Sequence, residues 1–210
     1  MLTPTAYGNS SDSPRRRNFG AVLWLQFLLW SVGVVLLGYC TYQWVRATYD
    51  QRAGSAAVDR MLVDQMMNQG EPVPAPFTLH EGDLVGRLEI PRLETKAVIF
   101  EGTTDETLAR GAGHYSKSAV PGEKGNVVLA GHRDSFFRSL QDIHEGDEVS
   151  LTTAQGRFRY IIDSTTVVNP DAVEVLRPTR GATLTLITCY PFRFIGNAPQ
   201  RYIVRGRKVS

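Results

Sequence analysis

Cys189 has the clearest capacity for covalent chemistry in this 210-residue chain. It closes the run Thr-Leu-Thr-Leu-Ile-Thr-Cys, a β-forming stretch that Tyr190 and Pro191 stop, so its thiol belongs at the lip of a strand. A thiol becomes a nucleophile when a base or a cation raises its thiolate fraction. His132 ends the apolar run Asn-Val-Val-Leu-Ala-Gly-His, again at a strand lip. Arg201 opens Arg-Tyr-Ile-Val-Arg-Gly, a strand separated from Cys189 by one loop. Two neighbouring strands joined in this way bring Arg201 beside Cys189, where a guanidinium can stabilise an oxyanion. Arg205 has the same strand phase, four residues deeper. Together these residues suit attack of a thiolate on a carbonyl. Taken singly, each also has an ordinary reading: a small buried hydrophobe, a satisfied structural histidine and a solvated arginine. His80 falls in a linker, and His114 and His144 fall in polar, turn-like settings expected at the surface.

Spacing narrows the chemistry. A C-x5-R phosphatase loop needs arginine at position 195, which is Ile195. Papain-like enzymes place cysteine before histidine, the reverse of the order here, and no caspase-like box is present. Two cysteines cannot build a four-cysteine zinc site, and His114, His132, His144 and Cys189 contain no tight ligand pair. No metal site is expected. Glu101, Asp105 and Glu106 lie close together without forming a calcium-ligand array, and no cofactor is expected. No glycine-rich phosphate loop occurs. With 23 Lys+Arg against 21 Asp+Glu, the net charge of +2 speaks against a nucleic-acid binder held by phosphate contacts.

The elements that must position these residues are mostly short strands. Runs at 84–90, 97–102, 126–131, 148–168 (a hairpin turning at Ala154–Gly156), 182–189 and 201–209 alternate with turn clusters. A brief helix over Asp105–Arg110 is ended by glycine. Seven or eight strands without long intervening helices predict an all-β sandwich or closed barrel.

The N-terminal part differs. From Phe19 to Trp44 no residue is charged, and a helix of about 26 residues spans roughly 39 Å, enough to cross a bilayer. Cys40 lies inside this span, which leaves Cys189 as the one cysteine of the outer domain. An unpaired thiol in an oxidising space asks for a reason. Arg15, Arg16 and Arg17 precede the span, so the positive-inside rule puts the N-terminus in the cytoplasm and the rest outside. The expected organisation is a cytoplasmic tail over 1–18, a transmembrane helix over 19–45, a juxtamembrane stalk and Pro-rich linker over 46–82, and a catalytic domain over 83–210.

The outer domain resembles the sortase family. The resemblance rests on TLITC followed by APQRYIV, with NVVLAGHRDSFFRSL upstream. GRLEIPRL, VIFEGTTDETLARGAGHY, PGEKG and GDEV follow the family order, so it covers residues 84–207. The wording GHRDSFFR and TCYPFxFIGxAPxR is most similar to class D, with class E next. The resemblance implies a closed eight-stranded β-barrel and a membrane-anchored cysteine transpeptidase. It implies Cys189 as nucleophile, His132 as acid/base, Arg201 as oxyanion or substrate stabiliser, and Thr188 as a substrate-binding residue that also sets strand geometry and hydrogen-bonds beside the site. It also implies that the segment 163–181 contacts the substrate, where Val168, Val173, Val175 and Leu176 would line a groove. The implied partners are surface proteins carrying a C-terminal LPxTG-like sorting signal. The implied acceptor is an amine, such as a peptidoglycan stem peptide or a pilin lysine.

Overall fold

The computed structural model describes residues 19–67, 79–194 and 196–209. The tail with Arg15, Arg16 and Arg17, and the prolines Pro72, Pro74 and Pro76, lie outside the described residues. The chain divides into two units, residues 1–43 and 44–210.

A single helix, α1 (Phe19–Met67), begins in the first unit and continues into the second. In the first unit its apolar side chains face outward on every side; Trp24 is 79% exposed and Leu37 70%. Ser31 and Thr41 turn their hydroxyls back to the carbonyls of Phe27 and Leu37, so neither leaves a donor open. The stretch Leu23–Arg60 holds a window of mean hydropathy 1.8, long and apolar enough to cross a membrane.

In the second unit eight strands close into a barrel: β1 (Leu84–Ile90), β2 (Thr95–Glu101), β3 (Ala112–His114), β4 (Gly125–Ala130), β5 (Glu148–Thr153), β6 (Gly156–Val168), β7 (Ala182–Tyr190) and β8 (Gln200–Lys208). A short helix, α2 (Asp105–Arg110), lies between β2 and β3. The order around the barrel is β1-β2-β3-β4-β7-β8-β6-β5. Strand alternation sends one set of side chains inward. Leu88, Ile99, Leu129, Leu151, Tyr160, Leu184, Leu186 and Val204 are buried there as one core.

Two features were not expected. β3 is only three residues long, and two pairs, β2–β3 and β4–β7, run parallel. His114, expected at the surface, belongs to β3 and is 2% exposed. Its Nδ1 lies 2.6 Å from Glu101 Oε2, and its Nε2 lies 3.0 Å from Ala119 O. A buried carboxylate and imidazole satisfy one another here.

Because β3 is short it pairs with β2 only over Ile99–Glu101. The rest of that edge is covered by α1. Gln51 Oε1 accepts the Val98 N–H at 3.0 Å, and Gln51 Nε2 donates to Arg110 O. Gly54 permits this approach, since a Cβ there would fall 2.8 Å from Val98 Cγ1. Val58 is 1% exposed, and Asp59 pairs with Arg87 at 2.8 Å. An exposed sheet edge is thereby closed by side chains of a helix.

Candidate active site

Three adjacent strands set the geometry. β7 lies between β4 and β8. In β7 the side chains of Leu184 and Leu186 enter the core, so Thr188 points inward and Cys189 outward. Cys189 stands directly opposite Arg201 in the antiparallel β7–β8 register. Opposed residues have Cβ atoms about 4.5–5.5 Å apart on the same face. On the other side, Ala130 of β4 is level with Ile187 of parallel β7. The Gly131 N–H continues that ladder to Ile187 O at 3.1 Å. The paired residues end at Ala130 and Ile187, and His132 and Cys189 each lie two positions further on, at the same end of the two strands. Gly131 is required at this exit, because a Cβ would fall 2.8 Å from the buried Phe137 ring.

Thr188 is 2% exposed and donates to Gly131 O at 2.7 Å. It ties the last turn of β7 to the exit of β4. Cys189 itself is partly exposed and free of any disulfide. Arg201 Nη1 donates to Ala198 O at 3.2 Å and Gln200 O at 2.9 Å. Both bonds leave from one nitrogen, and the guanidinium makes no other hydrogen bond among the described residues.

The outward face continues away from these residues. Val168 of β6 is opposite Arg201, so the order across β6, β8 and β7 is Val168, Arg201, Cys189. Deeper along the same face lie Ile203 and Val128, each 1% exposed although outside the barrel core. The β6–β7 loop carries a 3-10 turn at Val173–Leu176. Val173 is 63% exposed on that turn and does not pack.

Sequence reasoning missed the residues that hold this loop. Buried Asn126 donates from Nδ2 to Val175 O (3.0 Å) and Arg177 O (3.2 Å), and buried Thr185 donates to Asn126 Oδ1 at 2.7 Å. Arg205 Nη2 adds a bond to Val175 O at 3.2 Å. The available signal was an asparagine inside an apolar strand, which must find partners when buried. Arg133, next to His132, was also missed. Its Nη2 donates to Phe194 O (2.8 Å) and Gly196 O (2.9 Å), joining the β4 exit to the β7–β8 loop.

Glu101 is occupied by His114, while Asp105 and Glu106 open α2. No cluster of three or more potential metal ligands occurs among the described residues.

A family model described as Sortase domain matches residues 88–209, from within β1 to just past β8. The chain belongs to the sortase family, whose members are cysteine transpeptidases. Within that family it is most similar to class D. Sortase D of Bacillus subtilis (strain 168) is 40% identical over 137 residues, 65% of this chain and 69% of that protein. Sortase A of Bacillus anthracis is 28% identical over 199 residues, 87% and 92% of the two chains. A Clostridium perfringens Sortase D5 transpeptidase superposes with a TM-score of 0.63 at 25% identity, covering 79% of this chain and 99% of that one. Clostridium perfringens sortase C with the C-terminal cell wall sorting motif gives 0.59 at 28% identity, covering 73% and 85%.

Proposed function

We propose that this sortase cleaves an LPxTG-like sorting signal through a thioester on Cys189 and passes the acyl group to an amine at the cell surface. The observation that carries the reading is the register: Arg201 stands directly opposite Cys189, and His132 follows β4 two residues past the last pair of the β4–β7 ladder.

In the first half-reaction the Cys189 thiolate attacks the carbonyl carbon of the threonine-like residue. Negative charge gathers on the carbonyl oxygen, and the Arg201 guanidinium, charged at any working pH, stabilises it. The C–N bond breaks, and His132 delivers a proton to the leaving amine. The acyl group is then held as a thioester. In the second half an acceptor amine attacks that thioester, gives its proton to His132, and the C–S bond breaks to restore the thiolate. Water resolves the same intermediate more slowly. Val168 and Val173 line the approach to Arg201 and contact an apolar side chain of the signal.

The membrane arrangement follows the same reading. α1 anchors the chain by a single pass, with Arg15, Arg16 and Arg17 on the cytoplasmic side and the barrel outside. The substrates are then surface proteins with a C-terminal sorting signal, and the acceptor is a stem-peptide amine or a pilin lysine. No metal or other cofactor takes part in these steps.

The test uses the full chain in detergent micelles with a library of LPxTG- and LAxTG-like peptides and an added amine. Mass spectrometry should find an acyl adduct on Cys189 and an amine-transferred product, both lost in Cys189→Ala. A chain whose Cys189 reacts with a small thiol reagent yet forms no adduct with any peptide would sink the reading.

A further inference from the structure

We propose that the end of the barrel farthest from Cys189 is a docking surface for a linear polymer of repeated phosphodiesters, held by cations that have no partner in the fold. This goes beyond the transpeptidase reading and does not depend on it. β4 and β7 run parallel, and both start at this end. Cys189 lies seven residues along β7 from Ala182, so the surface is roughly 23 Å from the thiol.

The strand ladders gather the charges. The Gly125 N–H donates to Gly181 O at 3.3 Å, which brings together Lys124 and Arg180, the residues just before the two glycines. One step along, Asn126 of β4 is level with Thr183 of β7, and Thr183 is opposite Arg207 of β8. Asn126 also holds the Arg177 carbonyl at 3.2 Å. Lys208 reaches back to Gly122 O at 3.2 Å, and Arg205 lies two residues from Arg207. None of these six cations makes an ion pair among the described residues, whereas Arg46, Arg87, Arg92, Arg110, Arg157 and Arg159 all do. Lys124, Arg177, Arg180 and Arg207 are exposed. Against the six stand Glu123, Asp163 and Glu174, while the Glu148 carboxylate is taken up by Arg159. The local excess is larger than the net charge of +2 on the whole chain.

A surface of one sign concentrates the opposite charge, and guanidinium groups match phosphate oxygens two at a time. Phe158 at this end is covered by the Lys208 ammonium, 4.7 Å from the ring centre, and by Gly122, where a Cβ would fall 2.3 Å from the ring. It offers no face on which a base could stack, so the matching polymer is one without bases. The chain enters this unit at Trp44, which shares a cleft with Thr95 at the start of β2 and with Phe136 soon after His132. That is the Cys189 end. The cationic end is the one away from the entry of the apolar run, which favours a polymer met in solution over a bilayer surface.

The experiment uses the full chain in neutral detergent micelles, with a labelled poly(glycerol phosphate) as probe. Binding read by fluorescence anisotropy should weaken with salt, with a slope of about −2 to −3 in log K against log salt. The triple substitution Lys124→Gln, Arg180→Gln and Arg207→Gln should weaken binding about tenfold or more and flatten the slope. Arg46→Gln, Lys96→Gln and Arg157→Gln together remove the same charge elsewhere and should change binding less than about twofold. A second reading needs no variant. In nanodiscs, acetylation of Lys124 by an N-hydroxysuccinimide ester should run equally fast in phosphatidylcholine and phosphatidylglycerol, and the polymer should slow it. Absence of binding, or equal losses in the two triple variants, overturns the proposal. Protection of Lys124 by phosphatidylglycerol alone would make the bilayer the occupant and overturn it too.

Discussion

The Thr188 hydroxyl donates to Gly131 O at 2.7 Å, joining the residue before Cys189 to the residue before His132. One buried bond thus sets the level of two strands that lie 57 positions apart in the chain. Thr188→Ser keeps the donor and should keep most activity. Thr188→Val leaves the Gly131 carbonyl unpaired, at a cost of about 1–3 kcal/mol. Acylation by a sorting peptide should slow in the Val variant by more than the stability loss explains, as read by single-turnover mass spectrometry beside thermal unfolding.

Arg201 offers planar, multiply donating charge, which lysine does not reproduce. Arg201→Lys and Arg201→Gln should both lower the acylation rate, by roughly 100–1,000-fold for Gln. Alkylation of Cys189 by iodoacetamide develops no oxyanion and should change far less. Equal losses in the two assays would argue for a structural role instead.

The β6–β7 loop hangs on Asn126, Thr185 and Arg205. Arg205→Ala removes one bond to Val175 O and should raise KM for the sorting peptide more than it lowers kcat. Hydrogen exchange over residues 172–178 should quicken in the same variant. A KM equal to that of the parent protein would detach Arg205 from loop placement.

Asp147 is 8% exposed, and its carboxylate is held by Arg92 and by the His144 N–H. Arg92 chiefly keeps its pKa below the ordinary carboxylate value. A lowered folded-state pKa means stability that is complete above the unfolded value of about 3.9 and lost as pH falls through the folded one. Thermal unfolding should therefore be level from neutral pH to about 5 and fall below that. Asp147→Asn should lower Tm at neutral pH and flatten the acid limb. Glu148 is pushed the same way by Arg159, but that pair is more exposed and adds little.

Gln51 and Gly54 hold α1 against Val98 at the edge of β2. A chain beginning at residue 71 lacks that cover, and its Val98 N–H and Arg110 C=O lose their partners. It should unfold several degrees below a chain beginning at residue 44, and aggregate more readily through the opened edge. Gln51→Ala in the longer chain should cost about 1–3 kcal/mol. Equal Tm values would mean that α1 contributes nothing to the barrel.

Much of the barrel was legible because its strands alternate cleanly and are punctuated by turns. The hairpin at Ala154–Gly156 and the glycine-ended α2 are local features, and both read directly. β3 did not, because Ala112–His114 is too short for a pattern. The parallel β4–β7 pairing did not either, since it depends on a crossover rather than on either strand's residues. Cys189, His132 and Arg201 stood out because each breaks a β-forming run at its end. Asn126 and Thr185 were hidden inside such runs; Asn126 reaches backbone carbonyls of a distant loop, and Thr185 donates to the Asn126 side chain. Arg133 was hidden for the same reason.

The sheet closes on itself, and β7 has a neighbour on both sides from Thr183 to Ile187. A peptide laid against that stretch of the barrel wall therefore meets no open strand edge and cannot be recognised by strand addition there. Its backbone N–H groups have no ladder to join, so specificity falls to side chains read against the barrel wall. A proline in the bound segment, which would spoil a ladder, costs nothing in such a site.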